Sequence, residues 1–282
     1  MPFRTIIDTD TLSRFIGDRS LVIVDCRFRL DDLGWGARGY ETQHIPGAVF
    51  ADLDRDLSGE KTGVNGRHPL PDPATFAGTL GRLGIDASVQ VAAYDQDSGM
   101  YASRFWWMLR WMGHENVAVL DGGFAKWLAE KRETASGMES RPLRTFTGVA
   151  RADMVVSAHG VAALAGRSDW RLVDARAPER FSGESETIDK KAGHIPGAAN
   201  HFFKWNIDER NLMRPVEDVR AGFERSLGGT PPDHVVSYCG SGVTACQNLL
   251  ALEHAGLSGA KLYPGSWSEW SSDPSRPTEP QK

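Results

Sequence analysis

The chain has 282 residues and a formal net charge of −5, with 40% hydrophobic and 24% charged residues. Its length suits two domains better than one, and its composition is that of an ordinary globular protein. The negative charge gives no general electrostatic reason to bind nucleic acid, and no stretch is apolar for long enough to span a membrane. The first ten residues, MPFRTIIDTD, lack the apolar region of a secretory signal. We therefore expect a cytoplasmic protein without nucleic-acid or membrane partners.

Three cysteines, Cys26, Cys239 and Cys246, are too few for a disulfide framework and suit a reducing compartment. Cys239 and Cys246 do not have the spacing of a zinc motif, and the histidines are scattered. The sequence therefore predicts neither a metal site nor a cofactor.

The first half of the chain alternates short apolar runs with helix-like segments. Strands are predicted at 21–24, 89–94 and 117–120, and a Trp-rich helix at 101–112. Strands that alternate with helices indicate parallel sheets with right-handed crossovers.

The second half repeats the first in the same order. Leu172–Arg176 matches Ile23–Arg27, and His194-Ile195-Pro196-Gly197 repeats the earlier His44-Ile45-Pro46-Gly47 at an offset between about 143 and 150 residues. The offset is too long for a solenoid and indicates an internal duplication. We expect one domain over 1–135, a linker over 136–154 that is rich in Gly, Ser, Pro and charge, and a second domain over 155–282.

Cys239 is the residue of the second half whose sequence surroundings most strongly indicate a catalytic role. A predicted strand, 235–238, leads into Cys239, a Gly240-Ser241-Gly242 loop follows, and a helix is predicted from Thr244. Backbone N–H groups of such a loop and the amino end of the helix favour an anion, either a thiolate or a terminal persulfide. The structural alternative is a buried cysteine in front of a helix.

The run Cys239-Gly240-Ser241-Gly242-Val243-Thr244-Ala245 resembles the active loop of two-domain sulfurtransferases of the rhodanese superfamily. The Gly240-Ser241 pair is similar to the 3-mercaptopyruvate version of that loop. The resemblance implies an α/β fold of two tandem rhodanese-like domains, each a mainly parallel sheet flanked by helices. It also implies that Cys239 is the catalytic nucleophile and that Gly240, Ser241, Gly242, Val243 and Thr244 form the active loop.

Asp95 aligns with Cys239 in the duplication. An acid in place of the nucleophile would repel an anionic substrate, so the first domain is predicted to be catalytically silent. Paired active and degenerate halves also characterise the two-domain sulfurtransferases.

Arg180 is the candidate for substrate binding. By itself it reads as a surface arginine paired with Glu179 or Glu184, but the resemblance implies that it binds the carboxylate of the sulfur donor. Animal-type mercaptopyruvate enzymes carry a second arginine before the Gly-His-Ile-Pro turn, and this chain has none there. Lys190 or Lys191 offers only a point charge in its place.

Asp54 and His68 resemble first-domain residues that assist proton movement beside the cysteine, and a His–carboxylate pair suits that task near neutral pH. A turn aspartate and a loop histidine are the structural alternative. Because His44 and His194 recur in both halves, and Cys246 lies about two helical turns after Cys239, we interpret these three as structural.

The leading functional prediction is sulfur transfer from 3-mercaptopyruvate, or from thiosulfate, through a Cys239 persulfide to cyanide or to a thiol acceptor of the thioredoxin type. Thiosulfate:cyanide sulfur transfer as the main activity is the first alternative. A cysteine phosphatase would need an arginine where Ala245 stands. A non-catalytic interaction module would not need the intact Cys239 loop.

Overall fold

A computed structural model describes residues 3–279, and the chain divides into two compact units. The first unit contains the chain up to Gly59, then Pro71–Arg151 and Glu209–Leu212. The second contains Glu60–Leu70, Ala152–Asp208 and the chain from Met213 onward. The outermost ends of the predicted ranges 1–135 and 155–282, residues 1–2 and 280–282, lie outside the described residues.

The first unit is a five-stranded parallel sheet with helices between its strands. Its elements are β1 Ile6–Ile7, α1 Thr9–Arg14, β2 Leu21–Asp25, α2 Trp35–Thr42, β3 Ala48–Phe50, α3 Pro73–Arg82, β4 Gln90–Tyr94, α4 Met100–Trp111, β5 Val117–Leu120 and α5 Gly123–Ala129. The strand order is β1-β5-β4-β2-β3, and every pairing is parallel. Buried runs such as β2, which has no exposed residue, reflect a sheet covered on both faces.

The second unit is a four-stranded parallel sheet of order β7-β6-β8-β9. Its elements are a 3₁₀ turn Ala152–Met154, α6 Ala158–Leu164, β6 Arg171–Asp174, α7 Pro178–Ser182, β7 Ala199–Asn200, a 3₁₀ turn Phe203–Asn206, α8 Val216–Leu227, a 3₁₀ turn Pro232–His234, β8 Val235–Tyr238, α9 Thr244–His254, β9 Lys261–Leu262 and α10 Ser266–Trp270. Its core joins aliphatic strand residues to Trp267 and Trp270, which are almost fully buried.

The two units repeat one strand arrangement, since β5-β4-β2-β3 of the first corresponds to β9-β8-β6-β7 of the second. This confirms the predicted α/β fold with two mainly parallel sheets. Because the strands of each sheet are parallel, their carboxyl ends lie along one edge, where ligands bind in open α/β sheets. Cys239 follows β8 directly at that edge.

Two connecting segments differ from the simple picture of a linker between two domains. Glu60–Leu70 lies inside the range predicted for the first domain but groups with the second unit. The predicted linker has no helix or strand over 136–151, and this part groups with the first unit. Arg144 fixes it there, because its N–H donates to the Gly81 carbonyl at 3.1 Å and its guanidinium pairs with Asp86 at 2.8 Å.

The chain after α10 packs on the second unit up to Glu279. Glu279 and His194 exchange two backbone hydrogen bonds of 2.9 and 3.0 Å, and Trp270 Nε1 donates to the Pro277 carbonyl at 2.8 Å. The first unit has the matching bridge between His44 and Ala135. Within residues 3–279, no helix is both long and apolar enough to cross a membrane.

A buried polar network connects α8 and α9 of the second unit. His201 is 2% exposed; its Nδ1 bonds with Ser226 Oγ at 2.8 Å and its Nε2 with Asn206 Oδ1 at 2.9 Å. The Asn206 amide donates to the side chains of Gln247 and Asn248 on α9. Burial lowers the pKa of His201 to about 4, against the opposing effect of the hydrogen bond to Asn206.

We expect His201 to make stability depend on pH. Its folded pKa of about 4 lies below the ordinary value of 6.5, so the unfolded chain binds more protons between these values. The stabilisation is complete above about pH 6.5 and is lost as the pH falls toward 4, at a cost of up to about 3 kcal/mol. Urea unfolding of wild type and His201→Gln at several pH values measures the difference.

The His201→Gln protein should show a weaker fall in unfolding free energy across this window, although it will be less stable at neutral pH. His159→Gln, which removes an exposed imidazole, is the control. Equal pH dependence in wild type and His201→Gln would contradict the prediction.

Candidate active site

Cys239 lies between the end of β8 and the start of α9, as the sequence predicted. Its side chain is 2% exposed, and its Sγ accepts a hydrogen bond from the Gly242 N–H at 3.1 Å. Val243 precedes the first helical residue, Thr244, so the sulfur faces the amino end of an 11-residue helix. This arrangement favours a negatively charged sulfur.

The loop needs a glycine at 242. Its φ is +75°, a left-handed conformation that other residues seldom adopt, and a Cβ there would lie 2.4 Å from the Pro264 carbonyl oxygen. Gly242 therefore permits both the turn and the close approach of the neighbouring backbone.

The turn at 265–268 holds the active loop from the other side. The Cys239 N–H donates to Ser266 Oγ at 3.1 Å, and the Cys239 carbonyl accepts from the Trp267 N–H at 2.9 Å. The Ser268 N–H donates to the Gly240 carbonyl at 2.9 Å. Three hydrogen bonds thus fix the backbone that carries the thiol.

His68 and Ser241 meet at this loop. His68 Nδ1 and Ser241 Oγ are 2.8 Å apart, and the two residues are 3% and 7% exposed. They are 173 positions apart in sequence, and both belong to the second unit. Asp54 belongs to the first unit, where its N–H donates to Asp52 Oδ1 at 2.9 Å, and its assistance to proton transfer stays a prediction.

Arg180 is an ion-paired residue of α7, and its partners differ from those that the sequence suggested. Glu186 accepts from both Nε and Nη2 of Arg180, at 3.2 and 2.9 Å, and Asp189 accepts from Nη2 at 2.8 Å. Both carboxylates are 3% exposed. Glu179 and Glu184, which precede Glu186 and Asp189 in the chain, are not ion-paired with Arg180 among the described residues.

The carboxylate of Glu186 is held as an anion by its surroundings. Burial raises the pKa of Glu186. The backbone N–H groups of Ile188 and Asp189 and the Arg180 guanidinium lower it by more, so the pKa lies below the ordinary value. Glu186 also contacts Arg176 Nη1 at 3.3 Å, and Arg176 pairs with Asp174 at 2.7 Å at the end of β6. The end of β6 and Arg180 are therefore connected through the buried carboxylate of Glu186.

Arg67, which the sequence did not single out, lies beside the Cys239 loop. A Cβ built on Gly240 would lie 3.1 Å from Arg67 Nη2 and 3.5 Å from Arg180 Nη1, so both guanidinium groups border the residue after Cys239. Arg67 Nη1 pairs with Asp189 at 2.8 Å. The only sequence feature that pointed to Arg67 was its position next to His68. Its pairing with Asp189, 122 residues away, has no signature in the sequence.

The two lysines considered as replacements for a second arginine have other surroundings: one is bound to backbone carbonyls and the other is exposed. Lys191 Nζ donates to the carbonyls of Asp273 and Arg276, at 2.8 and 3.3 Å. Lys190 is exposed.

Asp95 shows what the corresponding loop of the first unit binds. Its buried carboxylate accepts four backbone N–H groups, from Asp97, Gly99, Tyr101 and Ala102, at 2.8–3.2 Å. Burial raises its pKa to about 6 against the opposing effect of these bonds. The loop of the first unit therefore encloses an anion that belongs to the chain itself.

The histidines and cysteines that the sequence analysis interpreted as structural contact backbone carbonyls and aromatic rings. His44 and His194 each bond through Nδ1 to a backbone carbonyl, at 2.7 and 2.8 Å, and stack on Tyr40 and Phe181 respectively. Cys246 is fully buried, with its Sγ 3.3 Å from the Gly242 carbonyl oxygen. Burial raises the pKa of Cys26 well above the ordinary value.

Known proteins resemble this chain over nearly its whole length. The family described as Rhodanese-like domain matches residues 8–130 and again 157–273. A protein of Pseudomonas aeruginosa named probable 3-mercaptopyruvate sulfurtransferase is 45% identical over 96% of both chains. A protein of Mycobacterium tuberculosis assigned as thiosulfate sulfurtransferase SseB is 38% identical, over 90% of this chain and 89% of its own.

A solved structure gives the same result. SseA from Escherichia coli, a 3-mercaptopyruvate sulfotransferase, superposes with a TM-score of 0.82 at 32% identity, covering 95% of this chain and all of its own. The two matched segments, the duplicated sheets and the full-length relatives agree: the chain belongs to the rhodanese family and contains two rhodanese-like domains.

Proposed function

We propose that the protein is a sulfurtransferase that carries sulfur on Cys239 as a persulfide. The observation that carries the proposal is the sulfur of Cys239, which accepts the Gly242 N–H at the amino end of α9. A loop that stabilises a thiolate also stabilises the terminal anion of a persulfide. The named relatives, sulfurtransferases for 3-mercaptopyruvate and thiosulfate, support the same chemistry.

The first half-reaction transfers the sulfur atom to the enzyme. The Cys239 thiolate attacks the sulfur of 3-mercaptopyruvate, an S–S bond forms, and the C–S electron pair passes to carbon. The resulting enolate of pyruvate takes up a proton. With thiosulfate, the S–S bond of the donor breaks instead, and sulfite leaves with the electron pair.

The second half-reaction returns the enzyme to its thiolate form. Cyanide or an acceptor thiolate, such as one of thioredoxin type, attacks the outer sulfur of the persulfide. Thiocyanate or an acceptor persulfide leaves, and the electron pair of the broken S–S bond returns to Cys239. Because the three cysteines are free, a reducing compartment such as the cytoplasm suits this cycle.

His68 and Ser241 are proposed to move the proton. Ser241 lies two residues after Cys239, and its hydroxyl is 2.8 Å from the Nδ1 of His68. This pair can take the thiol proton of mercaptopyruvate and return it to the enolate carbon. Asp54 is proposed as a further assistant on the basis of the family resemblance.

The donor is proposed to be 3-mercaptopyruvate rather than thiosulfate. Gly240 has no side chain, and the space beside it is bordered by Arg67 and Arg180. A carbon-bearing donor with a carboxylate fits a site that has room at the loop and cations at its edge. The relative of 45% identity carries the mercaptopyruvate name.

Cys239→Ser should abolish sulfur transfer and leave the fold intact, because the Cys239 sulfur is the atom that accepts the Gly242 N–H at the amino end of α9. Incubation with mercaptopyruvate or thiosulfate followed by intact mass measurement should show one added sulfur in wild type and none in the variant. Cys246→Ala is the matched control and should keep most of the activity. Substantial turnover of cyanide to thiocyanate by folded Cys239→Ser would rule out the persulfide mechanism.

Replacing His68 should affect the two donors unequally. Carbon must be protonated when mercaptopyruvate is cleaved, whereas sulfite leaves without a proton. We expect His68→Gln to lower kcat for mercaptopyruvate by about 100-fold, the usual scale of general acid–base catalysis, and to lower kcat for thiosulfate much less. Ser241→Ala should show the same inequality. Equal losses for both donors would remove the pair from proton transfer.

Wild type should have a higher kcat/KM for 3-mercaptopyruvate than for thiosulfate. Arg180→Ala should reduce the mercaptopyruvate value by about 1.5–3 kcal/mol in transition-state stabilisation, the scale of a charge-assisted hydrogen bond. Steady-state kinetics with both donors test the two statements. A clear wild-type preference for thiosulfate would overturn the donor assignment, and an unchanged kcat/KM in the variant would remove Arg180 from the site.

A further inference from the structure

We propose that the second unit binds a phosphorylated small molecule with a planar ring, of mononucleotide size, in a cavity between α8, β7 and the 3₁₀ turn Phe203–Asn206. The cavity has a volume of about 830 Å³, which lies within the range of ligand pockets. Its lining residues all belong to the second unit, and none belongs to the Cys239 loop or to the ion pairs around Arg180. The site is therefore separate from the one proposed for sulfur transfer.

Three arginines line the cavity, and within residues 3–279 none of them is paired with a carboxylate: Arg171, Arg214 and Arg225. Arg171 Nε donates to the Ser226 carbonyl and Arg214 Nε to the Ile207 carbonyl, both at 3.0 Å, so each guanidinium is anchored while its terminal nitrogens have no acceptor in this part of the chain. Other arginines of the second unit pair with carboxylates at 2.7–3.4 Å: Arg167, Arg176, Arg180 and Arg276. The cavity thus gathers the guanidinium groups that lack a counter-ion.

The charge of the lining is positive although the chain as a whole has a net charge of −5. Among the described lining residues, three guanidinium groups face one carboxylate, that of Asp218. A phosphate ester carries about −1.5 to −2 charges near neutral pH, and guanidinium groups match its geometry. Asp218 can accept hydrogen bonds from the hydroxyl groups of a sugar.

Trp205 supplies an aromatic face to the same cavity. Its side chain is 49% exposed. Edge-to-face contacts with the rings of His201 and Phe202, at centroid distances of 5.7 and 6.3 Å, fix the orientation of the indole. Nucleotide bases stack on such rings with little preference for one base over another. A fixed aromatic face beside guanidinium groups without a counter-ion fits a nucleotide better than it fits a phosphate ion alone.

The floor of the cavity is formed by His201 and Asn206, whose side chains are almost fully buried. Both ring nitrogens of His201 are hydrogen-bonded, to Ser226 and to Asn206, and the Asn206 amide donates to Gln247 and Asn248 of α9. The floor is therefore pre-organised, and the polar groups of a ligand have to pair with the arginines and with Asp218 instead.

Gly222 leaves the cavity open between its floor and one arginine. It lies in the interior of α8, where glycine is unfavourable relative to alanine. The fold does not require the absence of a side chain there, because a Cβ would lie 3.4 Å from His201 Cε1 and 4.0 Å from Arg225 Nη2, which are ordinary contact distances. A methyl group at 222 would instead occupy space that a ligand can use.

Calorimetric titration of the full chain with adenosine 5′-monophosphate tests the site. Adenosine supplies the ring without the phosphate, ribose 5-phosphate supplies the phosphate without the ring, and inorganic phosphate supplies the anion alone. Wild type should bind one molecule of the nucleotide per chain, more tightly than each of these three. The variants are Arg225→Gln, Trp205→Ala, Gly222→Ala and the control Arg167→Gln, whose exposed side chain pairs with Asp169 outside the cavity.

Arg225→Gln should raise the Kd of both the nucleotide and ribose 5-phosphate about 10- to 100-fold, the effect of losing one charge-assisted hydrogen bond. Trp205→Ala should raise the Kd of the nucleotide about 10-fold and leave that of ribose 5-phosphate unchanged, because only the nucleotide stacks. Gly222→Ala should raise the unfolding temperature and still weaken nucleotide binding, so a loss of folding would not account for the weaker binding. Arg167→Gln should match wild type.

Three results would overturn the proposal. The first is no heat of binding with the nucleotide up to millimolar concentrations, and the second is an unchanged Kd in folded Arg225→Gln. The third is nucleotide binding that is lost in Arg180→Ala and kept in Arg225→Gln, which would place the ligand at the Cys239 loop. Equal affinity for the nucleotide and for inorganic phosphate would likewise contradict the assignment of Trp205 as a stacking face.

Discussion

A continuous series of buried ion pairs holds the candidate site together. It begins at the end of β6 with Asp174 and Arg176 and continues through Glu186, Arg180 and Asp189 to Arg67, with separations of 2.7, 3.3, 2.9, 2.8 and 2.8 Å. Buried charges are tolerated only when each has its counterpart, and removal of one member leaves another uncompensated. The guanidinium of Arg67 is therefore connected to the end of β6 through these pairs, and its backbone N–H is held separately by Ser268 Oγ at 2.9 Å.

Among the residues that the structure describes, the first unit has the beginning of this series of ion pairs but not its continuation. Arg27 pairs with Asp25 at 2.7 Å and lies 4.3 Å from the Phe124 ring, just as Arg176 pairs with Asp174 and lies 4.7 Å from the Trp267 ring. The pair at the strand end is thus part of the common framework of the fold. The extension through Glu186 and Asp189 distinguishes the half that carries Cys239.

Local sequence patterns were sufficient for the framework. The predicted strand at 235–238 is β8, and the predicted helix after Cys239 is α9, because apolar periodicity and a Gly-rich loop are local signals. The alternation of strands with helices predicted the parallel sheets. The loop of the active half was likewise predictable, since its glycines and its cysteine are adjacent in the chain.

The partners of Arg180 and the presence of Arg67 were not predictable in this way. Glu184 is nearer to Arg180 in sequence than Asp189, yet the irregular segment after α7 turns Glu186 and Asp189 inward. No periodicity governs such a segment. Arg67 meets Asp189 only because Glu60–Leu70 packs with the second unit, which is a tertiary contact without a local signature.

The path of Glu60–Leu70 has a consequence for how the duplicated gene product can change. A chain shortened to its second repeat would keep the nucleophile, its loop and the whole four-stranded sheet, but it would lack Arg67 and His68. The first repeat is therefore needed for a reason separate from its own fold, since it encodes the segment Glu60–Leu70 that belongs to the same unit as Cys239. Changes around Cys239 are therefore coupled to residues of the first repeat, and the two halves cannot diverge or separate independently.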